Sequence, residues 1–334
     1  MKKIFRVKNN KYQSFKKILF IAEIGSNHDN DFGKCKKLIM AAKKAGCDAV
    51  KFQLFKAEKL VPKDSNQYHF LKKLELSETW LKKISIFCKK KKILFACSPF
   101  YMDGVELLKK YNCDIIKIAS PEIKNLPLIN KASRSGIPLI ISTGDSSMKE
   151  IFEAKKEVYK KYIAKTAFLH CVSEYPAKVK NLNLNNINFL NEKLKQFPIG
   201  FSDHSFGIDA SLNAIVMGAV IIEKHITLNR KSKGPDHFFA IEPKELDLLI
   251  KKINTFLSSY GSFYKKRLKD ENTIYISMSN TKKIKKNQKI SSKDILFIRT
   301  LSQGLHSRNY KYLLNKRAKK QINERSRLKR KYFY

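Results

Sequence analysis

SDHSFGIDASLNAIVMGAVIIEKHIT, residues 202–227, is the stretch on which the fold turns. It begins as the end of one apolar run (residues 198–204, PIGFSDH), crosses a helical stripe of small residues at 208–217, and ends as a second apolar run (residues 219–225, AVIIEKH). Each run is too short for a helix and too continuously apolar for a half-exposed strand, which is the pattern of a parallel strand buried on both faces. The unit repeats along the chain. ILFIAE (18–23), DAVKFQ (48–53), ILFACS (93–98), DIIKIAS (114–120), PLIIST (138–143) and AFLHCVS (167–173) bring the number of such runs to eight.

Helical patterns lie between them. In GKCKKLIMAAKKAG (33–46), Cys35, Leu38, Ile39, Ala42 and Ala45 form one stripe and Gly46 is the stop signal. Similar stripes occupy residues 79–90, 104–111, 127–135, 149–162 and 208–217. An eightfold strand-helix alternation with right-handed crossovers closes most naturally as an α/β protein of the (β/α)8 or TIM-barrel class. The competing architecture is a doubly wound open sheet. No GxGxxG or GxxxxGK[ST] follows any strand, so a nucleotide-binding version of it has no support.

A chain of 334 residues holds one barrel of about 250 residues and a small appendage. The division expected is an N-terminal extension (1–17), a barrel (18–260), a linker (261–273) and a small C-terminal domain with a basic tail (274–334). The apolar run at 18–24 is interrupted by Glu23 and falls far short of a membrane span or export signal, so a cytoplasmic protein with no membrane partner is expected. The six cysteines sit in apolar periodic segments without CxxC or Cys/His metal spacing, and read as reduced, packed thiols.

The net charge of +40 raises the question of a polyanionic partner. Residues 264–334 carry 22 Lys/Arg against 4 Asp/Glu. The excess is mostly lysine dispersed over would-be helix surfaces, as in KKISIFCKKKK, which is the pattern of a solvated face, and no nucleic-acid partner is expected.

In a barrel, neighbouring strands are consecutive and chemistry collects at their C-terminal ends. Side-chain alternation then makes Ser202 with His204, and Glu223 with His225, two inward pairs on adjacent strands. Two neutral imidazoles at one rim can share a divalent metal; satisfied core histidines are the other reading. The same parity turns Lys51, Gln53 and Lys117 inward, where barrels normally carry Val, Ile and Leu. A buried ammonium needs a counter-charge. Either Glu23 and Glu223 supply it, or a phosphate or carboxylate ligand does, helped by the hydroxyls of Ser98, Ser120, Ser142 and Thr143.

The motifs AEIGSNHDN, AGCDAVKFQLF, SPFYMDGVELL, IIKIASPEIKNLPLI, ISTGDSS, LHCVSEYPA, IGFSDHSFGI and GAVIIEKHITLNR followed by KGPDH run in order from about residue 18 to 260. In these the chain resembles the N-acetylneuraminate synthase family, makers of sialic and related nonulosonic acids. The stretch TKKIKKNQKISSKDILFIRTLSQGL onward is similar to that family's antifreeze-like (SAF) domain. Two places depart from the family pattern: NHNG reads Asn27-His28-Asp29-Asn30, and Arg-Pro reads Arg299-Thr300.

The resemblance implies condensation of phosphoenolpyruvate with an open-chain 2-acetamido sugar, most simply N-acetylmannosamine, in a homodimer whose small domains are swapped. It implies a divalent cation, manganese or magnesium, on His204 and His225. Lys51, Ser98, Lys117, Ser120, Ser142 and Ser202 would hold phosphoenolpyruvate; Gln53, Tyr175, Asp236 and Arg299 would meet the sugar. Glu23, with Glu122 as second candidate, would activate water. GPDH (234–237) and KFQ fit the sialic or legionaminic branch better than the pseudaminic one.

Overall fold

The computed structural model describes residues 3–266, 268, 274–301 and 304–334. The chain divides into two compact units, Met1–Gly261 and Ser262–Tyr334. The first opens with an antiparallel hairpin, β1 (Phe5–Val7) and β2 (Asn10–Tyr12). Eight parallel strands follow: β3 (Leu19–Glu23), β4 (Ala49–Leu54), β5 (Leu94–Pro99), β6 (Ile115–Ile118), β7 (Leu139–Ser142), β8 (Thr166–Cys171), β9 (Ile199–Asp203) and β10 (Ile221–His225). Each pairs with the next, and β10 pairs with β3 to close the barrel. The strand runs read from sequence and these strands agree to within a residue or two.

The helices form the outer layer. They are α1 (Phe32–Ala45), the short α2 (Ala57–Leu60) and α3 (Tyr68–Leu74), α4 (Glu78–Lys91), α5 (Met102–Lys110), α6 (Leu126–Arg134), α7 (Met148–Glu157), α8 (Asn186–Lys193), α9 (Asp209–Val216) and α10 (Pro243–Tyr260). The stripe read in α1 is the face it buries, and Gly46 ends the helix in the left-handed region at φ 100°. At its start, Asp31 accepts hydrogen bonds from the Gly33 and Lys34 amides. The expected helix at 149–162 is shorter in the structure. It ends at Glu157 because Val158 turns extended and the Tyr159 amide donates to Ser133 Oγ at 2.6 Å instead of continuing the helix.

Two apolar layers result. Alternate residues of β4 and β9 show the principle. Val50, Phe52 and Leu54 point to the helices, as do Ile199 and Phe201, whereas Ala49 and Gly200 point into the barrel. Gly200 is required sterically, since a Cβ there would stand 2.6 Å from both Ile221 O and Leu169 Cδ2.

The N-terminal extension read at 1–17 carries the β1–β2 hairpin, a sheet separate from the barrel whose apolar side chains pack into the barrel's inner core. Phe5, Val7 and Tyr12 are fully buried in the same cluster as the inward residues Leu19, Ile21, Ala49, Ala96, Ile115, Ile140, Ala167, Leu169 and Ile221. Tyr12 Oη donates to Asp48 Oδ1 at 3.1 Å, just before β4, so the hairpin stoppers the N-terminal end. Phe5→Ala is therefore expected to cost about 3–5 kcal/mol in urea unfolding, the range for a buried aromatic truncated to alanine. A loss below 1 kcal/mol would mean the hairpin is a passive appendage.

The second unit pairs β11 (Tyr275–Asn280) with β12 (Ile295–Thr300), antiparallel, and adds the single turn α11 (Tyr310–Leu313). Met278, Ile284, Ile290, Ile295, Leu313, Ile322, Leu328 and Phe333 form its own small core. The boundary at Gly261 is where the linker was expected to start; of that linker, residues 267 and 269–273 lie outside the described residues. All six cysteines are free and buried. Among the described residues no helix is long and apolar enough to cross a membrane.

Candidate active site

At the C-terminal ends of the strands the inward side chains change from apolar to polar. Glu23 ends β3, Lys51 lies on β4, Ser98 on β5, Lys117 on β6, Ser142 ends β7, Cys171 ends β8, Ser202 lies on β9 and Glu223 on β10. All are at most 5% exposed. Burial of that many polar groups demands partners, and most are found within the set.

Glu223 is the centre. Its Oε1 lies 3.4 Å from Lys117 Nζ and 3.7 Å from Lys51 Nζ, and accepts a hydrogen bond from Ser202 Oγ at 3.0 Å. Lys51 also meets Glu23 Oε2 at 2.9 Å and donates to Ser98 Oγ at 3.4 Å. The two lysines thus have internal partners, one of the two readings that the sequence left open. Burial alone would lower the Lys51 pKa, but the carboxylates of Glu223 and Glu23 outweigh it and hold the ammonium firmly charged. Lys117, with Glu223 alone close by, is instead pulled below its ordinary value by burial.

His204 and His225 meet above this group, their ring centroids 5.5 Å apart at an interplanar angle of 65°. His204 Nδ1 donates to Val172 O at 2.8 Å, which leaves the lone pair on Nε2. Burial keeps His225 neutral by pushing its pKa down to about 3. Its Nδ1 is buried without a hydrogen-bond partner, 3.7 Å from Asp236 Oδ2. Two facing imidazoles, one of them neutral and orphaned, are groups that could hold a divalent cation. Among the described residues no cluster of three or more His, Cys, Asp or Glu is arranged to hold a metal.

Other buried atoms here also lack partners: Ser26 Oγ, Asn27 Oδ1, Ser142 Oγ and Glu223 Oε2 form no hydrogen bond. Unsatisfied groups of this kind cost about 1–3 kcal/mol each, and their concentration at one mouth marks where a polar ligand would be received.

The expected sugar-contacting residues divide. Gln53 Nε2 donates to Glu23 Oε1 at 3.0 Å, fixing that carboxylate. Gly25, at φ 52°, lets Asp236 approach, since a Cβ there would stand 3.0 Å from Asp236 Oδ2 and 3.3 Å from Glu23 Oε1. Tyr175 lays its ring 4.1 Å from that of His204 and is half-exposed. Ser120 Oγ accepts from the Gly144 amide at 3.1 Å, and Thr143 Oγ1 donates to Leu169 O. Glu122 stands outside the cluster on a 3-10 turn, its Oε2 accepting from Asn125 Nδ2. Arg299 belongs to the second unit, exposed on β12.

Sequence reading missed several groups. The variant first loop is tied down by His237, which is fully buried, with Nε2 2.9 Å from Asp29 Oδ1 and Nδ1 2.7 Å from Thr227 Oγ1. Cys171 Sγ lies 3.8 Å from His204 Nδ1, and inward parity on β8 was the signal available for it. Cavity size does not locate this chemistry. A cleft of about 1090 Å3 lies at the opposite end beside Tyr12, Asp48 and Asp114, with none of these groups in its lining.

The profile of the NeuB family matches residues 38–265. The N,N'-diacetyllegionaminic acid synthase of Campylobacter jejuni is 36% identical over 92% of this chain and 98% of its own length. The pseudaminic acid synthase of the same organism is 32% identical over 93% and 95%. The crystal structure of N-acetylneuraminic acid (sialic acid) synthetase from Leptospira borgpetersenii, in complex with citrate, superposes with a TM-score of 0.76 at 34% identity, covering 81% of this chain and 94% of that one. The chain therefore belongs to the NeuB family and is a synthase of the sialic acid synthase type.

Proposed function

We propose that this enzyme joins phosphoenolpyruvate to the open-chain aldehyde of a 2-acetamido sugar, releasing phosphate and giving a nine-carbon 2-keto acid. The observation that carries the reading is the placement of the His204–His225 pair directly over the buried Lys51–Glu223–Lys117 group. His204 and His225 would hold a divalent cation, manganese or magnesium, which when bound would supply Lewis-acid polarisation of the aldehyde oxygen.

The protein's own groups do the rest. Lys51 and Lys117 hold the phosphate and carboxylate of phosphoenolpyruvate, with hydroxyls from Ser98, Ser120, Ser142 and Ser202, so that its C3 faces the aldehyde carbon. As the C3–C1 bond forms, positive charge grows at C2. Glu23, held by Gln53 and Lys51, takes the proton of the water that adds to C2. The C2–O bond to phosphate then breaks, phosphate leaves with the proton of the C2 hydroxyl as the keto group forms, and the proton taken by Glu23 passes to the alkoxide oxygen of the former aldehyde. Gln53, Tyr175 and Asp236 line the sugar side, and relatives named as legionaminic acid synthases favour a diacetamido hexose over N-acetylmannosamine.

In the homodimer we infer, the antifreeze-like small domain of one subunit covers the barrel mouth of the other. Exposure of Phe297 and Arg299, which share one face of β12, supports this, because it leaves a large apolar side chain beside a cation open to solvent on that face. Arg299→Ala is expected to raise the KM for the sugar about 10-fold or more, the scale of a lost charged hydrogen bond, with the KM for phosphoenolpyruvate unchanged. Equal effects on both would remove the contact.

The deciding experiment measures phosphate release from phosphoenolpyruvate across N-acetylmannosamine and the diacetamido hexoses, before and after chelation. Release that needs both sugar and metal supports the reading. No release with any of them, together with salt-sensitive DNA binding through the basic tail, would favour a catalytically idle barrel.

A further inference from the structure

Behind the two histidines, on the helix side of the barrel wall, lies a charged group that the reaction does not touch. Asp203 and Lys224 immediately precede His204 and His225 and face each other in register across β9 and β10. Alternation turns their side chains away from the barrel interior, into the layer where Phe201, Ile222, Ala210 and Ala214 pack. Lys224 Nζ donates to Asp203 Oδ2 and to Ser205 O, both at 2.8 Å. Asp203 Oδ1 accepts from the Ser205 amide at 2.8 Å and from Ser205 Oγ at 2.6 Å, and Asp203 Oδ2 accepts from Ser211 Oγ at 2.6 Å. All four residues are at most 3% exposed.

A buried ion pair of this kind is a weak source of net stability, because desolvation offsets most of the attraction and an apolar pair of similar volume does as well. What the hydrogen bonds do accomplish is geometric. They lock the end of β9, the turn after it, the first turn of α9 and the end of β10 into one arrangement. His204 lies between two of the locked residues, and His225 directly follows a third. Metal sites depend on outer groups that fix the orientation of their ligands.

We propose that Asp203 and Lys224 are positioning residues for the metal site, a clamp that sets the separation and angle of the two imidazoles from outside the barrel. This rests on the reading that the cation sits on His204 and His225. The test titrates Mn2+ into metal-free enzyme without substrates, in wild type, in His204→Ala/His225→Ala and in Asp203→Leu/Lys224→Met, alongside thermal unfolding. The apolar double variant is expected to keep its Tm within a few degrees while its Kd for Mn2+ rises about 10- to 100-fold.

A wild-type Kd in the folded double variant overturns the clamp. If that variant does not fold, Ser211→Ala decides: a Kd weakened about 3-fold or more, the scale of one lost hydrogen bond, supports the clamp, and an unchanged Kd overturns it. Wild type that binds Mn2+ no better than the histidine variant would bring down the metal reading itself, and the clamp with it.

Discussion

His225→Ala is expected to lower kcat by about a thousandfold at saturating substrates, with Mn2+ binding lost in the same variant. Lewis-acid stabilisation of a developing alkoxide is worth several kcal/mol, and each 1.36 kcal/mol is about tenfold in rate. On the proposed reading, loss of one of the two histidines would leave a single imidazole to hold the cation in competition with water. The packing cost is separable: the His225 ring touches Phe239 at a centroid distance of 4.9 Å, so a cavity forms and stability falls, which unfolding measurements report independently. A folded His225→Ala enzyme turning over within tenfold of wild type would show that the imidazole is a core residue and the metal lies elsewhere.

Glu223→Gln is expected to be the most destabilising single change in the barrel interior. The carboxylate serves both lysines; without it Lys51 retains Glu23, but Lys117 loses the one carboxylate at its ammonium. Breaking a buried pair from one side costs about 3–5 kcal/mol. The effect has a pH signature. Burial pushes the Glu223 carboxyl up, but Lys117 and Lys51 outweigh it and hold it well below its ordinary 4.5. A carboxyl depressed in the folded state contributes stability that is fully present above about pH 4.5, its unfolded value, and that drains away as the pH falls through its folded one. Wild type should therefore lose stability in that acid range more steeply than the variant, as urea midpoints at pH 7 and at pH 3.5 would record. A variant within 1 kcal/mol of wild type at pH 7 would mean that the lysines find other partners.

Most of the barrel was readable in the sequence because buried parallel strands are written as unbroken apolar runs, and each of the eight was. Parity on those strands also placed Lys51, Lys117, Ser202 and the two histidines on one rim, a deduction that needs only alternation and strand order. What was not readable has a common cause. The hairpin Phe5–Val7 and Asn10–Tyr12 has strands of three residues, too short for any period to show, and its role comes from long-range burial. Helix α8 has a weak stripe, with only Ile187 and Leu190 buried. The premature end of α7 depends on Ser133, a residue of another helix. Partner choice among buried charges likewise belongs to three dimensions. Nothing in the sequence says that Glu223 takes both lysines, or that Asp203 closes on Lys224.

The stopper formed by the N-terminal hairpin turns the barrel into a blind well. On the function proposed above, a ligand bound for Lys51 and Lys117 would have to descend past the histidines, and a sugar seated over it would bar the way out. A single door of that kind would impose a sequence on arrivals and departures: the deeper guest first in, and what occupies its place last to go.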